Sequence, residues 1–453
     1  MLVKILEILL GIVVVWFGIG LVDLVRRLLY RPNMSKIQYF KDKDGKIVIY
    51  HGVNVCNYSK RSPDLMPWHT HEDYDKLKKW GINLVRFVVA WEGIEPRKRE
   101  YDYTYLAKMC SHIKYLGSIG IDVIIDLHQD AYARKYAGNG FPAWACMDEG
   151  APFKEQRPWY MNYLQPATIM AFRNFWKSND LQYAYMLMLR TVYRQIKDLD
   201  NVIGIDIINE PFPALPWIRR FERKYLTEFY GKAAAALLAE SCKKTLFFEP
   251  WMYTSTGMPT YLRFKYATVK KGYMPHYYAP LAERHGVYKD IDTALLKWAL
   301  RIKAKEAQVF GTPLLFGEWG ISDTCMRYLD YMRDFIGLCE SYGASWVWWA
   351  YDMERDSDHG LLDNNKAGKS YFKELCHVYP QRIAGSSPKY SHTDKMFCLE
   401  YDNTDIPGYT VIFIPEGLTY TVESNQTYEP YGNTLIVRNN QEKVTKVALH
   451  YNK

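Results

Sequence analysis

Val202-Ile203-Gly204-Ile205-Asp206-Ile207-Ile208-Asn209-Glu210-Pro211 is an apolar run that closes on a carboxylate and a proline. Apolar residues here are continuous rather than alternating, so the run reads as a strand covered on both faces, as in a parallel sheet. Glu210 then stands at the exit of a buried strand, held by a rigid element and aimed at the loops above it. Further along, Leu314-Leu315-Phe316-Gly317-Glu318-Trp319 repeats the design. Either glutamate alone reads equally well as a surface residue after a strand. Two such exits, one glutamate preceded by Asn and the other followed by Trp, point to a shared site.

Working outward from these runs, six more strand-like segments are predicted: Ile47–Val55, Ile82–Val88, Ile121–His128, Thr245–Glu249, Gly272–His276 and Ala344–Trp349. Helical spacing falls between most of them, over Asp73–Trp80, Tyr105–Ile119, Ala171–Ile196, Trp217–Cys242, Thr293–Val309 and Cys325–Tyr342. Strand and helix units in this alternation predict an α/β fold, a (β/α)8 TIM barrel over residues 47–378. A doubly wound sheet is the competing topology, but no Gly-rich phosphate loop follows an early strand. Beyond Tyr379 the pattern changes to short strands around Phe397–Tyr401, Tyr409–Ile414, Thr419–Val422, Thr434–Val437 and Thr445–Leu449, separated by Gly, Pro and Asn turns. That reads as a C-terminal β-sandwich over residues 379–453.

The chain has 453 residues, nearly half of them apolar, with 14 Trp and 38 Tyr, so a large core and two domains are expected. Its net charge is +8 without a dense basic block. This balance suits an anionic membrane surface better than nucleic acid, and an ordinary solvated surface equally well. The eight cysteines show no C-x-x-C pair, so metal-site spacing is absent; Cys110, Cys242 and Cys339 read as buried thiols. Residues 1–30 form an anchor or signal segment, joined to the barrel by a linker over 31–46. Its uncharged part, Ile8 to Val22, is shorter than the roughly 20 residues of a spanning helix, and no small-x-small cleavage site follows. An uncleaved N-terminal membrane-anchor helix is the expectation. Arg26, Arg27, Arg31 and Lys36 behind it would place the body in the cytosol, whereas sequons at Asn33, Asn57 and Asn425 favour the secretory side, which leaves the membrane face open.

In a barrel, functional groups gather where strands end at the carboxyl face. The polar residues at the predicted exits are Arg86, Asp126, His128, Asp130, Asn209, Glu210, His276, Tyr278, Glu318 and Trp349. Singly, Arg86 reads as a structural ion pair and either histidine as a satisfied core residue; ten at strand exits make one site the better account. Two carboxylates so placed are what cleavage of a glycosidic bond needs, one as proton donor and one as nucleophile.

Asn209-Glu210-Pro211 and Glu318, with Arg86, His128, His276, Tyr278 and Trp349, resemble the site of family 5 glycoside hydrolases, clan A retaining enzymes. Asp126-Leu127-His128-Gln129-Asp130, Gly138-Asn139-Gly140-Phe141-Pro142-Ala143-Trp144 and Asn209-Glu210-Pro211-Phe212 resemble the endoglycoceramidases and fungal glucosylceramidases among them. The resemblance spans residues 47 to 350. It implies Glu318 as nucleophile and Glu210 as acid/base, Asn209 on the sugar 2-hydroxyl, and Trp349 under the ring. Asp126, His128 and Asp130 would serve the other hydroxyls, with Lys60 as a weaker candidate, and no metal or cofactor is required. It also implies hydrolysis of the β-glucosidic bond between sugar and ceramide, with glycolipid and membrane as partners and no nucleic acid or obligate protein partner. The long apolar segment from Gln129 to Pro166 would hold ceramide chains, or simply pack. A family enzyme acting on steryl, aryl or soluble glucosides, and a non-catalytic glycolipid-binding protein, are the alternatives.

Overall fold

The computed structural model describes residues 21–214, 218–264, 266, 269–406, 408–439 and 442–451. Eight parallel strands build the barrel: β1 His51–Val55, β2 Leu84–Ala90, β3 Asp122–His128, β4 Val202–Asp206, β5 Thr245–Phe248, β6 Lys271–Tyr273, β7 Leu315–Gly320 and β8 Ser345–Trp348. Each pairs in parallel with its neighbour from β1 through β6, and β8 joins β1 to β7. The ring closes at β6. Tyr273 bridges to Leu314 beside β7, and after the Met274-Pro275-His276 interruption Tyr277–Tyr278 pairs with Trp319–Gly320. The strands are buried almost throughout, which is why their sequences are continuously apolar.

Side chains alternate across each strand, so every second residue points into the barrel. At the amino end these are Leu84, Ile124, Phe247, Met274, Leu315 and Val347, packed with Val48 and Tyr50. Phe247 fills the axis there because its neighbours are glycines: a Cβ on Gly204 or on Gly272 would lie 2.5 Å from its ring. The outward set forms one large core with the surrounding helices.

Several expected boundaries move. The run Ile47–Val55 splits: β1 begins at His51, and Ile47–Val48 pairs antiparallel with Tyr379–Ile383 in the C-terminal sheets. Phe40–Lys41, inside the expected linker, adds to the same sheet. The expected helix Ala171–Ile196 is two helices, Pro166–Lys177 and Asn179–Ile196, because extended Ser178 ends the first and its side chain caps the second. After the barrel, a six-stranded and a four-stranded antiparallel sheet share a core of Ile47, Tyr379, Phe397, Leu399, Ile412, Leu435 and Val447. All eight cysteines are unpaired; Cys110 and Cys339 are buried, but Cys242 is only half-buried because its sulfur lies where its helix has already ended.

The expected anchor, Ile8 to Val22, lies outside the described residues apart from Leu21 and Val22, in a helical stretch over 21–28. Among the described residues no helix is long and apolar enough to cross a membrane.

Candidate active site

Seven of the eight strands deliver a polar side chain to the carboxyl end of the barrel, by position or at the exit: Asn54, Arg86, Asp126, Asp206, Glu249, His276 and Glu318. The eighth delivers Trp349. Arg86 is the hub and is fully buried. Its Nη2 lies 3.0 Å from Asp126, 2.6 Å from Asp206 and 3.1 Å from Glu249, and Nη1 lies 2.8 Å from Glu318 Oε1. It also donates to Asn54 Oδ1 (3.0 Å) and Asn209 Oδ1 (2.8 Å). A buried guanidinium is tolerable only with such compensation, and its planar fork suits several acceptors at once.

Glu210 and Glu318 face one another around His276. Nδ1 of His276 is 3.0 Å from Glu210 Oε1 and 3.5 Å from Glu318 Oε2, and one oxygen of each carboxylate lies within 4.8 Å of the other. Glu318 is held at both oxygens, by Arg86 at Oε1 and by the Tyr278 hydroxyl at Oε2 (2.9 Å). Glu210 has a left-handed backbone (φ 40°), an unfavourable place for a side chain with a Cβ. Two side chains hold it there. Gln129 Nε2 donates to the carbonyls of Asn209 (2.8 Å) and Glu210 (3.0 Å), and Glu249 Oε2 accepts the Glu210 N–H (2.8 Å).

The two glutamates differ in charge preference. Burial raises the Glu210 carboxyl above the usual range, and the hydrogen bond from His276 only partly offsets it. Burial also opposes ionisation of Glu318, but the positive charges of His276 and Arg86 outweigh it and hold that carboxyl below the usual range. His276 is itself buried, which favours the neutral ring, yet Glu249 and Glu318 on either side keep it protonated well above ordinary histidine. Glu249 is pushed up by burial, so the cluster is not a simple excess of negative charge.

On the other side of the mouth, His128 Nδ1 meets Asp126 (2.6 Å) and Nε2 meets Asp130 (3.3 Å), while its ring stacks 5.4 Å from Trp349. Lys60 Nζ reaches Asp130 (2.7 Å) and sits 4.0 Å over the Trp349 ring, so the weakest candidate in the sequence joins the site directly. Asn139 Nδ2 donates to the same Asp130 oxygen. All eleven candidates therefore converge. Missing from the sequence reading were Asn54, Gln129, Asp206 and Glu249. Glu249 carried the same signal as Glu210, a lone acid closing a strand, and Asp206 stood out as the one charge within an apolar run.

A family description, cellulase (glycosyl hydrolase family 5), matches residues 42–355. The chain is similar to endoglycoceramidase I of Rhodococcus hoagii (strain 103S), 22% identical over 427 residues, 87% of this chain and 83% of that protein. Among solved structures it is similar to endo-glycoceramidase II from Rhodococcus sp. in its ganglioside GM3 complex, at 26% identity and TM-score 0.84, covering 92% of this chain and 100% of the other. The lactosyl-enzyme intermediate of that protein matches with TM-score 0.83 at 26% identity over the same shares.

Proposed function

The chain belongs to glycosyl hydrolase family 5, and from that premise we propose that it is a retaining β-glycosidase that cuts the β-glucosidic bond between sugar and ceramide in glycosphingolipids. The observation that carries the reading is the pair itself: two carboxyls across one mouth, close enough for the spacing of about 5–5.5 Å that retaining enzymes use, with opposite protonation preferences. Glu318, ionised and fixed at both oxygens, attacks the anomeric carbon. Glu210, protonated, gives its proton to the departing ceramide oxygen, then takes one from water as the glycosyl-enzyme is hydrolysed. The positive His276 between them stabilises Glu210 once it has lost its proton. The similarity to proteins described with ganglioside and lactosyl groups supports the ceramide-linked substrate class.

Incubation with lactosylceramide, ganglioside GM3 and glucosylceramide, beside steryl, aryl and soluble glucosides, tests the reading. Release of ceramide with the intact sugar is expected. Turnover confined to the glucosides without ceramide would replace the lipid substrate with the alternative class, and no turnover of any would remove the enzyme reading.

The pH dependence follows from the two carboxyls. Glu210 must hold a proton and its pKa is raised, so kcat/KM falls as pH rises through a value above the usual carboxylate range. Glu318 must be ionised and its pKa is lowered, so kcat/KM falls as pH drops through a value below that range. A bell-shaped profile is expected, and its alkaline limb disappears in Glu210→Gln; persistence of that limb would assign it to another group.

A further inference from the structure

The described N-terminal residues descend one side of the barrel. Asp23 pairs with Arg223 (2.7 Å) and Arg219 (3.5 Å), in the helical segment that follows β4. Arg27 donates to the carbonyl of Thr260 (2.7 Å), in the loop after β5. Lower down, the Leu28 carbonyl accepts from Trp298 and Arg301 midway along the helix Asp290–Phe310, and Asn33 meets Gln308 near its foot. Connections after β4 and β5 lie at the carboxyl end of the barrel, so the helical stretch over 21–28 meets the fold beside the catalytic mouth.

The same rim carries two further features. Three guanidinium groups, of Arg27, Arg219 and Arg223, gather around the Tyr261 ring and share the single carboxylate of Asp23. Arg26, Arg220, Lys224 and Arg263, on the same segments, are exposed. Large apolar side chains are also exposed in the loops after β3 and β5: Trp159 at 53%, Tyr160 at 51%, Leu164 at 47% and Met258 at 41%. The Met252 N–H on the β5 loop donates to the Pro211 carbonyl (3.2 Å), and Tyr163 on the β3 loop packs against Phe212 with ring centroids 5.2 Å apart, which ties both loops to the turn that carries Glu210.

We propose that this rim is a docking face for a bilayer containing anionic phospholipid, with the arginine cluster on the phosphates and Trp159 and Tyr160 at the headgroup level. Cationic side chains next to exposed aromatics are the pairing an anionic lipid surface recognises. The arrangement turns the mouth towards the lipid plane, so a glycolipid headgroup enters without its ceramide leaving the membrane. The consequence for turnover rests on the proposed glycolipid substrate; the docking itself does not.

The test uses the full chain with lactosylceramide in three forms: detergent micelles, phosphatidylcholine vesicles, and phosphatidylcholine vesicles containing phosphatidylserine. The variant combines Arg26→Gln, Arg220→Gln and Arg263→Gln. Its micellar turnover is expected to stay within about twofold of wild type. Its turnover in phosphatidylserine vesicles should fall about tenfold or more, since each charge near an anionic surface is worth about fivefold in affinity. Brominated phospholipid should also quench the Trp159 contribution, read as wild type minus Trp159→Phe. Equal turnover of wild type and variant in anionic vesicles, or an unquenched Trp159, would overturn the proposal. If wild type released no ceramide even from micelles, the substrate reading would fail, while quenching would still decide the docking.

Discussion

Glu318→Gln is expected to lower kcat by about five to six powers of ten, the scale on which enzymes lose rate when a covalent nucleophile is removed. The substitution keeps the volume and one oxygen to accept from Arg86, while the new amide N–H can donate to the Tyr278 hydroxyl oxygen, so the barrel should remain folded and the lipid should still bind. What is lost is the negative charge and lone pair that bond to the anomeric carbon. Pre-steady-state measurement with an aryl lactoside should show no burst of phenol, because no glycosyl-enzyme accumulates. A Glu318→Gly variant supplied with azide should recover part of the rate and yield the α-glycosyl azide, the product of a single inversion. Wild-type rates in Glu318→Gln would assign the nucleophile elsewhere.

Glu210→Gln carries the second large effect, and it depends on the leaving group. Ceramide leaves as a primary alkoxide, a poor leaving group, and general acid assistance is typically worth about two to four powers of ten. Release of ceramide should fall by about that amount. A 2,4-dinitrophenyl lactoside needs no proton to depart, so its first step should be nearly unaffected. The second step still lacks its base, so the covalent intermediate should accumulate and be visible as added mass on the protein. An equal loss on both substrates would mean that Glu210 acts on binding or structure rather than on the proton. The Glu210 side chain takes no part in the contacts by which Gln129 and Glu249 pin its left-handed backbone, so the substitution leaves that turn in place.

How much of this was legible differs between elements. The eight barrel strands could be read because burial on both faces leaves a continuous apolar signature, and the site followed from one rule about strand exits. Asp206 and Glu249 escaped although they obey the same physics. Asp206 closes its strand but lies inside the apolar run Val202–Ile208, where an acid looks like an exception until Arg86, from another strand, is placed against it. Glu249 reads in the sequence as the last residue of its strand, and only the folded chain sets it against Arg86, His276 and the Glu210 backbone. These are long-range partners, and no local pattern records them. The sandwich shows the opposite limit. Thr427–Tyr431 is exposed along its whole length and contains Pro430, as an edge strand allows, so it carries no apolar period to read. Phe40–Lys41 is two residues long and exists only because Ile47–Val48 supplies its partner.

The central claim is that Glu210 and Glu318 work as a double-displacement pair across one sugar. Proton NMR of the reducing sugar first released from lactosylceramide tests it most directly, read before mutarotation mixes the anomers. The β-anomer should appear first and the α-anomer only later. Initial release of the α-anomer would mean direct attack by water, and would contradict the assignment of Glu318 as nucleophile.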